Sequence, residues 1–302
     1  MTIKSHSIYD LSRETLRDVN KPRKMLQYGF PGLSYDLCTQ SGHLVVIGAK
    51  TGCGKSLLAL QMARAMASAG VKTAYLSLEM SNRLIAERNL ASAGTMAAIK
   101  HGDAVEAQLA AMRALVESQR AMPLEIAEAY GATVKDIADF ISSNKDVKVV
   151  IVDYLQLLGG AQASQYERTT DASKALATLA HETGVTIIGL AQLAIKGDAG
   201  QGDPTLASIQ ATSQYSQDAD AVLLMYRESD QDADSRRVLQ IAKNRHGPAG
   251  RKLFLDFDGN RMLLTESADQ TRRKPEKPAK IDFSIPDPCS KAERAEMAKI
   301  RW

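Results

Sequence analysis

The chain has 302 residues, 44% of them hydrophobic, a net charge of +3 and three cysteines at positions 38, 53 and 289. That composition supports a substantial core and excludes a disordered polymer, while the scattered cysteines argue against a disulfide framework or a CxxC zinc site and point to a reducing compartment. No apolar run approaches the roughly 18 residues of a membrane span, and the opening MTIKSHSIYD carries no apolar leader region, so a soluble cytoplasmic protein with no membrane partner is expected.

The charge is unevenly placed. Residues 271–302 hold nine Lys/Arg and five Asp/Glu, a balance of +4, so the other 270 residues sum to −1. The body has no global basic field, and any contact with nucleic acid must come from local loops.

In chain order, residues 1–27 are polar, with a helical pattern over Tyr9–Val19 that Asp10 or Ser12 could cap. The following YGFPGLSYDLCTQSGH, rich in Gly, Pro and Ser, reads as loop. From Leu44, short apolar runs alternate with helical segments such as SLLALQMARAMASA and DASKALATLAHE. The runs are LVVIG (44–48), TAYLS (73–77), LEIA (124–127), KVVIVD (148–153) and VTIIGLA (185–191). Such an alternation predicts an α/β domain with a mostly parallel central sheet flanked by helices. Three later runs, at 221–226, 237–243 and 251–257, end in turn-like NRHGPAG and DGN, so this end predicts β-hairpins. After about Ser267 the chain becomes charged and Pro-containing, which predicts a flexible tail over 268–302, with KAERAEMAKIRW as a candidate terminal helix. The expected division is therefore an N-terminal helical segment (1–27), a motor domain (28–267) and the tail.

Ala49, Lys50, Thr51, Gly52, Cys53, Gly54, Lys55 and Ser56 follow a predicted strand and open a predicted helix. They match the phosphate-binding P-loop except that Ala49 stands where its first Gly would be. In such a loop the backbone N–H groups face the phosphates, the lysine (Lys55) neutralises the β/γ oxygens, and the hydroxyl (Ser56) ligates Mg²⁺. The expected ligands are thus ATP and Mg²⁺. Asp153, at the carboxyl end of an apolar strand, is a second candidate for holding the metal. Glu79, just past TAYLS, is a candidate general base for an attacking water.

YLSLEM, VVIVDYLQLL, GLAQLA, SQDADAVLLMYR and IAKNRHGPAG occur in the order and rough spacing of the DnaB-type replicative helicases, which AKTGCGKS also resembles. The resemblance runs from about Tyr28 to Leu264. It implies a RecA-like P-loop NTPase fold, a ring that is usually a hexamer, and ATP-driven 5′→3′ movement on single-stranded DNA. It implies roles for Glu79 as base, Asp153 as metal-holding acid and Gln192 as γ-phosphate sensor. Lys243 and Arg245 match a basic pair that reaches into the neighbouring subunit's ATP, with Arg245 as arginine finger. A primase, a helicase loader or a single-strand-binding protein are partners of the kind it implies, and residues 9–19 resemble the family's linker helix. The family's N-terminal domain has no counterpart in the 27 residues before the match, so a compact phage- or plasmid-like version is expected. The family's DNA-loop arginine and acid are replaced by Gln210 and Ala211. Candidate DNA loops are Gly159–Thr170, with Arg168, and Lys196–Gln217, with Lys196. A recombination or helicase-loader ATPase is the competing expectation, and a regulatory ATPase switch acting on proteins is a third.

Overall fold

The computed structural model describes residues 7–21, 25–39, 41–160, 164–193, 203–208, 213–229 and 232–268. All of them fall in the compact unit Met1–Ala268. The expected tail beyond Ala268, its terminal helix, Lys196, Gln210 and Ala211 lie outside the described residues.

Nine strands form one sheet in the order β3-β2-β4-β5-β1-β6-β7-β8-β9 among the described residues. They are β1 (Leu44–Ala49), β2 (Thr73–Ser77), β3 (Leu124–Glu128), β4 (Val149–Asp153), β5 (Thr186–Gln192), β6 (Ala221–Arg227), β7 (Arg237–Asn244), β8 (Lys252–Asp258) and β9 (Leu263–Glu266). The first six pair in parallel, and β6 through β9 are antiparallel. The expected mostly parallel sheet with terminal hairpins is thus what the chain builds.

Side chains alternate across a strand, so two cores form, one on each face. Val45, Ile47, Tyr75, Val149, Ile151, Ile188, Leu190 and Leu223 face α3 (Lys55–Ser68), whose Leu57, Leu58, Met62 and Met66 are buried against them. Leu44, Val46, Ala74, Leu76, Val150, Val152 and Ile187 face the other way. They meet Ile137 and Ile141 of α7 (Val134–Ser143) and Leu176 and Ala180 of α8 (Gln165–Thr183). Strands buried on both faces are near-continuously apolar, with polar residues such as Thr73, Ser77, Asp153 and Thr186 confined to their ends, which is why their limits could be read so closely.

Local readings differ at four places. The Gly/Pro/Ser-rich stretch expected as loop contains helix α2 (Pro31–Leu37), with Pro31 in its first turn, and its Leu33 and Leu37 are buried. Proline has no N–H to lose at that position and its fixed φ suits helix entry. The N-terminal helix α1 (Ile8–Asp18) is capped by Ser7, whose hydroxyl accepts from the Tyr9 N–H, and not by Asp10 or Ser12. The candidate DNA loop 159–170 is shortened by α8, which begins at Gln165 and carries Arg168 exposed in its first turns. In the second candidate loop, Leu206–Ser208 form a 3-10 turn and Ser213–Asp218 form helix α9. No described helix is long and apolar enough to cross a membrane.

Candidate nucleotide-binding site

Parallel register brings the carboxyl ends of the central strands level. Ala49 pairs with Gln192 and Met225, and Ser77 pairs with Asp153. At this edge a cavity of about 580 Å³ opens. It is lined by Ala49, Lys50, Thr51, Gly52, Gly54, Lys55 and Ser56, together with Glu79 and Gln192.

The loop from β1 into α3 takes conformations that its glycines permit. Gly52 has φ of 72° and Gly54 has φ of 100°, left-handed values that a Cβ would strain. Gly54 is the N-cap of α3 and no side chain caps that end, so the first N–H groups of the helix remain oriented towards the cavity. A helix start of this kind favours an anion. Of the eight loop residues, Cys53 alone does not line the cavity. Its thiol is buried and donates to the Met225 carbonyl at 3.7 Å, so only its backbone can serve a ligand.

Alternation also aims the acids. Asp153 has the parity of Val149 and Ile151, so its carboxylate turns to the α3 side and is fully buried. Oδ2 accepts from the Tyr75 hydroxyl at 2.6 Å. Burial pushes the Tyr75 hydroxyl well above its ordinary range, and the adjacent Asp153 charge adds to this. Asp153 Oδ1 is buried with no hydrogen-bond partner. A buried carboxylate oxygen left unpaired costs free energy unless something cationic meets it. With a serine hydroxyl at the start of α3 beside it, this donor set of hard oxygens fits Mg²⁺. Lys55 lies 4.5 Å from the Tyr154 ring centroid. Burial lowers the Lys55 ammonium below its ordinary value, and the Asp153 and Glu79 carboxylates oppose that shift. Glu79 is exposed at the cavity wall.

Gln192 joins two segments. Its side-chain amide donates to Thr51 Oγ1 at 2.7 Å. Its backbone is gripped by Gln156, which accepts from the Gln192 N–H at 3.2 Å and donates to its carbonyl at 3.1 Å.

The structure does not bring Lys243 and Arg245 to this cavity. Lys243 is the penultimate residue of β7 and Arg245 follows its end; β7 runs antiparallel to β6, so Ala221 faces Asn244 while Arg227 faces Arg237. The pair therefore lies at the opposite edge of the sheet. Lys243 Nζ donates to the Ser216 and Gln217 carbonyls at 2.9 and 2.7 Å. Arg245 donates to Asp220 Oδ1 at 3.3 Å and to the Gln217 carbonyl at 3.1 Å.

Sequence reasoning missed several residues. Tyr75, two positions before the end of β2, was recoverable from its shared parity with Asp153. Arg88, Tyr154, Phe257 and Met262 line the cavity from four separate segments. Arg237 Nε donates to the Cys53 carbonyl at 3.0 Å and Arg227 Nη2 to the Gly52 carbonyl at 3.2 Å, so β6 and β7 brace the loop. No local pattern announces these contacts.

The DnaB-like helicase C-terminal domain matches residues 27–265. A replicative DNA helicase DnaB of Leifsonia xyli subsp. xyli is 32% identical over 221 residues, covering 68% of this chain and 48% of its own. One from Treponema pallidum is 30% identical over 220 residues, covering 70% and 49%. The chain thus spans about half the length of these curated relatives. Among solved structures, an isolated ATPase domain shares the fold with a TM-score of 0.79 at 24% identity, covering 87% of this chain and 100% of that one. A DnaB-like replicative helicase, described with its interactions with primase, gives 0.78 at 24% identity, covering 87% and 67%. The chain belongs to the DnaB-like helicase C-terminal domain family.

Proposed function

We propose that this chain is the motor of a replicative DNA helicase, hydrolysing ATP with Mg²⁺ at sites shared between neighbouring copies in a ring, usually a hexamer. The observation that carries the reading is a split one. One edge of the sheet gathers a P-loop, a buried carboxylate with an unpaired oxygen, Glu79 and Gln192. The opposite edge carries the basic pair Lys243 and Arg245.

In this reading Lys55 and the backbone N–H groups of residues 49–56 hold the phosphates, and Ser56 and Asp153 hold the metal. The metal supplies neutralisation of phosphate charge when bound. Glu79 accepts the proton of an attacking water. Gln192, tied to Thr51 and Gln156, senses the γ-phosphate. Arg245, with Lys243 beside it, enters the neighbour's site, where a guanidinium stabilises charge developing on the transferred phosphoryl group. Residues 28–267 are the motor, 1–27 a linker that joins neighbours, and 268–302 an appendage. Single-stranded DNA is the track, with 5′→3′ polarity, and a primase, loader or single-strand-binding protein is the kind of partner expected in a cytoplasmic replication complex. The names of the curated relatives favour this over a recombination or loader ATPase.

The test is ATP turnover with and without single-stranded DNA, followed by unwinding of a fork with a 5′ tail. DNA-stimulated turnover and unwinding support the proposal. Turnover indifferent to DNA would overturn it, and stimulation without unwinding would favour the recombination or loader class. Polarity is read from forks tailed on the 3′ side only.

A further inference from the structure

Asp220 sits just before β6, at the edge of the sheet away from the P-loop, and its side chain is 4% exposed. A carboxylate this buried needs partners, and it has several. Oδ2 accepts from the Leu44 N–H at 2.9 Å and meets His181 Nε2 at 3.1 Å. Oδ1 accepts from Arg245 Nη1 at 3.3 Å, with His246 Nε2 at 4.0 Å. His43 stacks on His246, ring centroids 4.1 Å apart and planes 9° from parallel. The backbone closes the same loop, because the Arg245 N–H donates to the Asp220 carbonyl at 2.9 Å.

The arrangement does two things to Arg245. It fixes the guanidinium at both Nη atoms, Nη1 on Asp220 and Nη2 on the Gln217 carbonyl. It also leaves the side chain 47% exposed, with the rest of its five N–H donors turned away from these two contacts. A guanidinium on an unbraced stem would have to be ordered at each catalytic cycle, at a cost in side-chain entropy. Here the buried acid orders it beforehand through a single, rather long contact, which steers the group without surrounding it.

We propose that Asp220 is the positioning residue for Arg245: its carboxylate, anchored by the Leu44 N–H and His181, presents the guanidinium outward to the nucleotide of a second copy of this chain. The inference rests on the reading that Arg245 acts in trans.

The experiment uses full-length variants and their mixtures. Asp220→Asn removes the charge and keeps the shape. Homogeneous Asp220→Asn should bind a fluorescent ATP analogue with wild-type affinity, because its own P-loop is at the other edge of the sheet. Its turnover should fall by about 10²-fold, the penalty of a misplaced catalytic group. Mixed with Lys55→Ala subunits, which carry intact fingers, it should regain turnover. Mixed with Arg245→Ala subunits it should not, since no finger in that ring is correctly held. The double variant Asp220→Asn/Arg245→Ala should be no slower than Arg245→Ala alone, as expected for residues acting as a unit.

Wild-type turnover in Asp220→Asn, additive losses in the double variant, or no rescue by Lys55→Ala would overturn the proposal. A control separates its failure from that of the reading beneath it. If Arg245→Ala mixed with Lys55→Ala recovers while Asp220→Asn mixed with Lys55→Ala does not, only the role of Asp220 is lost. If the control itself fails in mixed rings, the trans reading of Arg245 is lost. Thermal melting checks the fold. Should Asp220→Asn unfold, Asp220→Ser, whose hydroxyl can still accept from Leu44, takes its place, and unfolding of both would assign the carboxylate to stability and overturn the proposal.

Discussion

Arg237 should be worth more to the nucleotide site than its distance in sequence suggests. It is 1% exposed at the start of β7. Its guanidinium lies 4.1 Å over the Phe257 ring and donates to three carbonyls, those of Cys53, Ser235 and Ala233. Arg237→Met keeps most of the stem and deletes the donors. Ala233 is exposed and Ser235 partly so, so water can replace those two bonds. The Cys53 carbonyl loses a charged donor, a loss of about 1.5–3 kcal/mol. The ring contact adds about 0.5–2 kcal/mol, and relief of the buried charge's desolvation offsets part of the sum. A net loss of about 2 kcal/mol follows, which at about 2–4 °C per kcal/mol for a domain of this size lowers Tm by about 4–8 °C. Because the deleted bond holds the P-loop, part of the loss should appear in binding. If about 1 kcal/mol does, the Kd of a non-hydrolysable ATP analogue rises about fivefold. Calorimetric melting and titration with the analogue measure both. Arg227→Gln, which removes the weaker bond to Gly52, should move both less. A wild-type Tm and Kd in Arg237→Met would refute the bracing argument. A lowered Tm with unchanged Kd would confine Arg237 to the core.

Three further outcomes are expected. Glu79→Gln should bind the ATP analogue normally and lose turnover by about 10²–10⁴-fold, because an amide cannot take a proton; wild-type turnover would remove the base assignment. Deleting residues 1–20 should shift the protein towards monomers in light scattering: α1 has no buried residue and exposes Ile8, Tyr9, Leu11 and Leu16, so an unchanged oligomer would show that this face joins no neighbour. His43 is held below the ordinary imidazole value by burial, and then by His246. The unfolded chain therefore takes up a proton near its ordinary value of about 6.5 that the folded chain resists, so stability should be retained above that pH and decline as pH falls below it. His43→Asn should flatten this part of a Tm-against-pH curve, and identical curves would refute the assignment.

How much of this was legible depends on what each residue answers to. Val149–Val152 answer to burial on both faces, and no polar residue fits there, so the strand is written in its own composition. Lys55 and Ser56 answer to a phosphate loop whose geometry needs glycine at fixed places, and that too is local. Helix α2 was not legible because PGLSYDL has the composition of a turn; it folds as a helix because Leu33 and Leu37 find a core supplied from elsewhere. Arg237 and Cys53 are 184 residues apart and meet only through the registers of β1, β6 and β7. The cluster of His43, His181 and His246 about Asp220 is likewise the product of four segments, none carrying a pattern of its own.

The same registers bear on the proposed role of Arg245. β1 and β6 run in parallel, so the P-loop leaves the sheet at the Met225 end of β6. β7 returns antiparallel, and anything placed just after it must emerge at the Ala221 end. The five steps from Leu44 to Ala49 separate those edges by roughly 17 Å of strand, well beyond the reach of an arginine whose backbone is itself pinned to Asp220. A finger motif following β7 therefore cannot close on its own P-loop without unpairing the sheet. It can close only on a molecule that presents its P-loop edge to this one, and a contact between unlike edges is heterologous. Such contacts propagate head to tail, giving a ring where the rotation closes and an open filament where it does not. On the proposed role of Arg245, the antiparallel turn from β6 to β7 thus makes the hydrolytic site intersubunit, and ring closure is what gives every P-loop a partner.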